Sequence, residues 1–257
     1  KLVCVNLSDL SAMGSPPLAY TLNLSLNSKI NQVWLKKFSK KIFNLQKKYN
    51  FYLLGGDISK SKELNLTATF FGQSKLKNIL SQNNNSIGDD IWVTGNLGNS
   101  FMGYKILKNI KFRLDKQTKN YFINSYLYPK PCMFGSIASK YINSSIDISD
   151  GFYGDLKKII NNKYGAKINL NNIPMTKNLK KIIKNSNFSI NLSDILSWGD
   201  DYQLIFTSNK KFRQKIISLA DSQNIKISMV GKIVKKTGLF DDSYNLIKNI
   251  RSFDHFC

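Results

Sequence analysis

Asp147-Ile148-Ser149-Asp150-Gly151-Phe152-Tyr153-Gly154-Asp155 sets three carboxylates at i, i+3 and i+8, interrupted by two glycines. Residues 141–148, which lead into this turn, are half apolar and predict a short strand. Leu156, Ile159 and Ile160 follow at helical spacing, so the stretch reads as strand, turn, helix. Ser149 or Asp150 is then the expected N-cap, leaving free backbone N–H groups in front of the turn. Carboxylates crowded beside an anion-attracting helix start suit a site where cations lie between them and a phosphate.

That acidic knot stands out because the chain is basic. Its 257 residues carry 38 Lys+Arg against 16 Asp+Glu, a formal net charge of +22. Such a balance invites a nucleic-acid or anionic-membrane partner. Lys, Asn and Ile are abundant throughout, however, as in Asn83-Asn84-Asn85 and Lys180-Lys181-Ile182-Ile183-Lys184. This is compositional bias, and no basic-aromatic alternation or nucleic-acid motif accompanies it. The expected partners therefore include no specific nucleic acid and no membrane. Cys4, Cys132 and Cys257 form no CxxC pair, and His255 is the one histidine. A disulfide framework, a zinc site and a Ser-His-Asp triad are all disfavoured.

Working back to the start, residues 2–7 read as a buried strand and 8–14 as a capped turn closed by Gly14. Asp9 is a plain helix cap or, by analogy with the acidic turn, a metal ligand at a strand's end. Ile30, Trp34, Phe38, Ile42, Leu45 and Tyr49 recur at helical spacing with lysines opposite, a core-packed helix rather than a membrane one. Residues 51–54 form a strand running into Gly55-Gly56-Asp57, where paired glycines admit a ligand or merely make a tight turn. Residues 64–72 are β-rich. The polar stretch 74–86 is the linker, which divides the chain near Ile87 into domains 1–87 and 88–257.

Gly88-Asp89-Asp90 opens a strand over 91–94, and the glycine turn 95–100 precedes a helix without a Gly-Lys-Ser/Thr ending, so packing explains it better than phosphate binding. A helix is predicted over 111–124. Further strands are expected over 166–170, 204–207 and 225–234, and helices over 178–185 and 212–219. In Trp198-Gly199-Asp200-Asp201-Tyr202-Gln203, one carboxylate either binds a cationic or hydroxyl-bearing substrate or caps a turn. Asp241-Asp242 marks an exposed hairpin. Strands and helices alternate throughout, which predicts α/β or α+β layers.

In order, Asn6-Leu7-Ser8-Asp9-Leu10-Ser11-Ala12-Met13-Gly14, Gly55-Gly56-Asp57, Gly88-Asp89-Asp90-Ile91-Trp92-Val93-Thr94-Gly95, Asp147-Ile148-Ser149-Asp150-Gly151, Gly199-Asp200-Asp201-Tyr202-Gln203-Leu204 and Phe253-Asp254-His255-Phe256 span almost the whole chain. Together they resemble the thiamine-monophosphate kinases, of the ATP-binding superfamily that includes aminoimidazole ribonucleotide synthetase and selenophosphate synthetase. The resemblance implies a cytoplasmic α+β enzyme of two domains. The first, 1–87, would be an ATP- and Mg²⁺-binding domain with a mixed sheet and helices, incomplete at its start and forming a homodimer. The second, 88–257, would be an α/β sandwich.

The implied reaction is Mg²⁺-assisted transfer of the γ-phosphate of ATP onto thiamine monophosphate, giving thiamine diphosphate. By this resemblance Asp9, Asp57, Asp147 and Asp150 would be metal ligands, with Asp147 and Asp150 central to catalysis. Gly56, Asp57 and Ser149 would hold the nucleotide, and Asp200 and Phe253 the thiamine. The chain departs from the family pattern in three ways. It starts after a Gly-Asp-Asp-Ala-type metal segment, it has Gln82 where an Arg is expected, and it has Asp200 where the family has Glu. These departures keep open a different ATP-dependent synthetase of the superfamily and a non-catalytic nucleotide-binding remnant. A selenophosphate synthetase is disfavoured because no reactive cysteine lies in a glycine-rich start.

Overall fold

The computed structural model describes residues 1–108, 110, 112, 114–184, 190–248, 250 and 252. The chain opens with helix α1 (Leu2–Ala12), strand β1 (Pro17–Leu26), helix α2 (Gln32–Tyr49) and strands β2 (Tyr52–Lys60) and β3 (Asn65–Gly72). Asn31 starts α2 by accepting the Trp34 N–H at 3.0 Å, and Asn50 ends it in the left-handed region at φ 54°. That helix carries the chain across from β1 to β2, which pair in parallel, while β3 returns antiparallel on the other side of β1. The result is a small mixed sheet in the order β2-β1-β3. Its core is Tyr20, Ile42 and Phe51, closed by Val3 and Leu7 of α1.

Residues 2–7 are therefore helix, not strand. The buried positions of α1 are Val3, Cys4, Leu7, Ser8, Ser11 and Ala12, a 3–4 spacing that half consists of small or polar residues. A hydrophobic run read alone misses such a face, because its periodicity is carried by serines.

The remaining elements are β4 (Asp90–Thr94), α3 (Asn99–Leu107), α4 (Lys116–Leu127), α5 (Phe134–Ala138), β5 (Ser144–Asp147), α6 (Phe152–Ile160) and β6 (Gly165–Ile168). They continue with α7 (Lys177–Lys184), α8 (Leu192–Leu196), β7 (Leu204–Ser208), α9 (Arg213–Ser222), β8 (Ile227–Val234) and β9 (Gly238–Phe240). Helix α4 starts later than the predicted 111, because Asp115 caps it by accepting the Thr118 N–H at 2.8 Å. Among the described residues the strands form a second sheet ordered β5-β7-β4-β8-β6-β9, antiparallel except at β6–β9.

Alternation along the central strands sends Ile91, Val93, Ile146 and Ile205 to one face, where Phe152, Leu156 and Ile159 of α6 cover them. Trp92 and Phe206 point to the other face, against Phe134 of α5 and Ile216 and Ala220 of α9. Each large apolar side chain so buried stabilises the fold by about 1.5–3 kcal/mol. The α+β architecture, one of the two layer arrangements the residues allowed and the one the family resemblance implied, is thus observed. Helix α1 joins its two parts: the Ser11 hydroxyl donates to the Cys132 carbonyl at 2.7 Å, and the Leu80 N–H donates to the Met13 carbonyl at 3.0 Å.

Candidate active site

Strand β5 ends at Asp147, and its pairing with β7 sets Asp147 opposite Leu204. The antiparallel register runs on past the strand ends. Ile148 N–H donates to the Gln203 carbonyl (2.7 Å), Tyr202 N–H to the Ile148 carbonyl (2.9 Å) and Asp200 N–H to the Ser149 carbonyl (3.0 Å). Two acidic motifs fifty residues apart in sequence are zipped together in this way. Gly199 is required at the zip's end, since a Cβ there would lie 1.7 Å from the Ser149 oxygen.

The turn itself is held from within. Asp155 Oδ2 accepts the backbone N–H groups of Ser149 (3.0 Å) and Asp150 (2.9 Å). Lys158 Nζ donates to Asp155 Oδ1 (2.7 Å) and to Asp150 Oδ2 (2.6 Å). Burial raises the Asp155 carboxyl, and its bonds to Lys158 and the Asp150 N–H oppose that rise. The N-cap of α6 is Gly151, at φ 110°, with no side-chain cap bond, so neither Ser149 nor Asp150 takes that role. Asp155 thus occupies the Ser149 and Asp150 N–H groups of the turn, not those of the first turn of α6.

Across from this turn, α1 brings Ser8 and Asp9 to β5. Asp147 is 5% exposed, and its carboxyl is pushed up to about 7, first by burial and then by the negative charge of Asp9. The Ser8 hydroxyl lies beside Asp147 and favours its charged form, without completing a hydrogen bond of full geometry. Asp9 is also raised, by desolvation. No ion pair reaches either carboxylate among the described residues. Two facing carboxylates without a countercharge fit a hard divalent cation such as Mg²⁺, which takes one or two carboxylates and completes its shell with water and substrate phosphates. Among the described residues no group of three or more His, Cys, Asp or Glu is arranged for a metal.

The two carboxylates of the Asp200-Asp201 pair have different partners. Asp201 is the cap: its carboxylate accepts from the Gly98 N–H (2.8 Å) and the Ser100 hydroxyl (3.0 Å) at the start of α3. Although the residue is only partly buried, that carboxyl is enclosed, and burial pushes it up to about 7 against those hydrogen bonds. Asp200 takes a cation, forming an ion pair with Lys1 Nζ at 2.8 Å. It also accepts the Tyr202 hydroxyl at 2.8 Å. Asp200 and Tyr202 both have positive φ, 64° and 49°. Burial, the Asp200 bond and the charges of Asp200, Asp147 and Asp9 all raise the Tyr202 phenol, so these carboxylates share one neighbourhood.

The family described as AIR synthase related protein, N-terminal domain, matches residues 1–74. The thiamine-monophosphate kinase of Buchnera aphidicola subsp. Schizaphis graminum (strain Sg) is 39% identical over 265 residues, covering 100% of this chain and 79% of that protein. The chain belongs to the thiamine-monophosphate kinase family. The crystal structure of thiamine-monophosphate kinase from Stenotrophomonas maltophilia K279a superposes with a TM-score of 0.82 at 28% identity, over 93% of this chain and 76% of that one. AaThiL complexed with AMPPCP and TMP shares the fold, with a TM-score of 0.83 at 23% identity over 99% of this chain and 78% of that one.

For a thiamine-monophosphate kinase fold, the structure places the expected residues unevenly. Asp200 accepts the Tyr202 hydroxyl, the charges of Asp147 and Asp9 reach that phenol as well, and Asp150 follows on the turn after Asp147. Asp57 stands in the middle of β2 rather than at a strand's end, exposed, its N–H donating to Asn23 Oδ1 at 3.0 Å. Gly56 lies against β1: a Cβ there would be 1.8 Å from the Leu22 oxygen, so close pairing of the strands requires the glycine. Phe253 lies outside the described residues. The sequence reading passed over Ser8, Lys158 and Tyr202. Lys158 carried a usable signal, since it stands three residues after Asp155 on the helix the turn begins.

Proposed function

We propose that the protein is an ATP-dependent kinase that phosphorylates thiamine monophosphate to thiamine diphosphate, supporting thiamine diphosphate biosynthesis. The observation that carries the reading is the facing Asp9–Asp147 pair beside the Ser149-Asp150 turn, in a chain 39% identical to a thiamine-monophosphate kinase. Asp9, Asp147 and Asp150 hold Mg²⁺, with Asp57 supplying a further carboxylate from β2. When bound, Mg²⁺ neutralises the phosphate oxygens and stabilises in-line transfer between them.

The chain's own residues then position the reactants. Asp147, raised to about 7 without the ion, is held ionised once a cation lies against it. Asp155 and Lys158 fix the turn so that Asp150 and the Ser149 hydroxyl face the phosphates. Gly56 lets the nucleotide approach the backbone. Asp200 and Phe253 receive the thiamine end of the acceptor, which sets its phosphate towards Asp147 and Asp150. Direct transfer needs no covalent intermediate, in keeping with a site built of carboxylates and hydroxyls.

The small sheet with its flanking helices serves as the ATP and Mg²⁺ part and the large sheet as the α/β part, divided near Ile87. The protein works in the cytoplasm as a homodimer. The test is incubation of the full-length protein with ATP, Mg²⁺ and thiamine monophosphate, followed by chromatography for thiamine diphosphate. Binding of both substrates without any diphosphate would sink the kinase reading.

A further inference from the structure

The ammonium of Lys1 occupies a specific place. Its Nζ is 2.8 Å from Asp200 Oδ2 and 3.9 Å from the centre of the Tyr126 ring, and 6.0 Å from the centre of the Tyr202 ring. A cation over an aromatic face is held by the ring's quadrupole, and a carboxylate on its other side adds direct charge attraction. The surroundings are built to keep these rings in place. Tyr126 packs edge-on against Tyr104 with centroids 5.7 Å apart, and Tyr104 lies 4.4 Å from Trp198.

Helix α4 can bring Tyr126 so close to α3 because Gly103 has no side chain, and a Cβ there would be 2.9 Å from the Tyr126 Cβ. On the other side, Tyr202 donates its hydroxyl to Asp200 Oδ1, which fixes the carboxylate and leaves Oδ2 for the cation. The Trp198 indole N–H is buried and has no hydrogen-bond partner among the described residues.

The Lys1 side chain is 32% exposed and that of Asp200 25% exposed, so this ion pair is weak and replaceable. The site around it is a carboxylate-and-aromatic box that accepts a cation. Under the kinase reading, on which the ligand's identity rests, the acceptor brings a permanent organic cation, the thiazolium ring. We propose that Tyr126, together with Tyr202 acting through Asp200, determines specificity for the thiazolium ring, and that Lys1 holds its place until the acceptor displaces it. Tyr126 touches the acceptor, whereas Tyr202 is a positioning residue.

The test compares binding of thiamine with its neutral isostere, in which a thiophene replaces the thiazolium, by calorimetry on the full-length protein. Wild type is expected to prefer thiamine. Tyr126→Leu should cut that preference about tenfold, whereas Tyr126→Phe should preserve it, because the ring face rather than the hydroxyl carries the attraction. Lys1→Ala, which removes only a partly exposed ion pair and its ring contact, should tighten thiamine about threefold by removing the competing ammonium, and leave the isostere unchanged. Equal losses for both ligands in Tyr126→Leu would assign it a structural role and overturn the proposal, as would unchanged thiamine affinity in Lys1→Ala. The kinase reading stands or falls separately, on formation of thiamine diphosphate by the wild type.

Discussion

The turn at 147–155 and the Gly55-Gly56-Asp57 segment are written in the same letters, glycine and aspartate, yet the fold treats them differently. In the turn, Asp155 is fully buried and binds two backbone N–H groups, and Lys158 ties Asp155 to Asp150. On β2, Asp57 is exposed in mid-strand, and neighbouring Leu53, Leu54 and Ile58 are 49%, 58% and 65% exposed. One segment is over-determined by its contacts. The other is an outer strand held chiefly by pairing with β1. A glycine beside an aspartate therefore has no fixed meaning until its neighbours are known.

The largest effect that would test this contrast is on catalysis. Asp150→Asn should lower kcat on the order of a hundredfold, because it removes a carboxylate proposed to hold Mg²⁺ next to the transferring phosphate. Near-normal turnover in a steady-state assay would take Asp150 out of the site. Next come the glycines. Gly199→Ala forces a Cβ to 1.7 Å from the Ser149 oxygen in a buried zip and should destabilise by about 3 kcal/mol in urea unfolding, at the upper end for overpacking. Gly56→Ala, 1.8 Å from the Leu22 oxygen but on an exposed strand that can shift, should cost about 1 kcal/mol. Equal losses at the two positions would dissolve the contrast.

A pH experiment sharpens it further. The Asp201 carboxyl is raised from an ordinary value near 3.8 to about 7 in the fold. Between those values the native state binds the extra proton, so its contribution is complete below about pH 4 and is lost as pH rises to about 7. Asp201→Asn should flatten the fall in stability over that window, by roughly 1–3 kcal/mol across it, while the amide oxygen can still accept from Gly98. An unchanged slope in thermal melts at pH 4, 5.5 and 7 would refute the assignment.

The smallest effects lie at open positions. Nothing comes within 4 Å of a Cβ at Gly55, so Gly55→Ala should shift stability by less than about 0.5 kcal/mol. Asp242→Asn, on an exposed turn whose hydrogen bonds are made by Asp241, should be equally quiet in both stability and turnover.

Much of this molecule was legible from its residues. Helices α2, α7 and α9 follow from apolar spacing because each buries one face, whereas β4 and β7 follow from short apolar runs buried on both faces. The strand-turn-helix around Gly151 was legible for the same reason. Helix α1 was misread because Ser8 and Ser11 help form its buried face, and β2 was cut short because an outer strand exposed on both faces carries no alternation. The roles of Asp200 and Asp201 could be narrowed to cation partner and cap, but not allotted.

By itself the sequence determined most of the later elements, the acidic turn and the chain of motifs, because these depend on neighbours a few residues away. Tertiary structure alone decided that Asp9 faces Asp147, that Asp201 caps α3, and that Lys1 lies between Asp200 and Tyr126. These contacts join residues about one hundred or more positions apart. Their existence rests on the packing of α1 against β5 and of α3 against α4, which no local periodicity encodes.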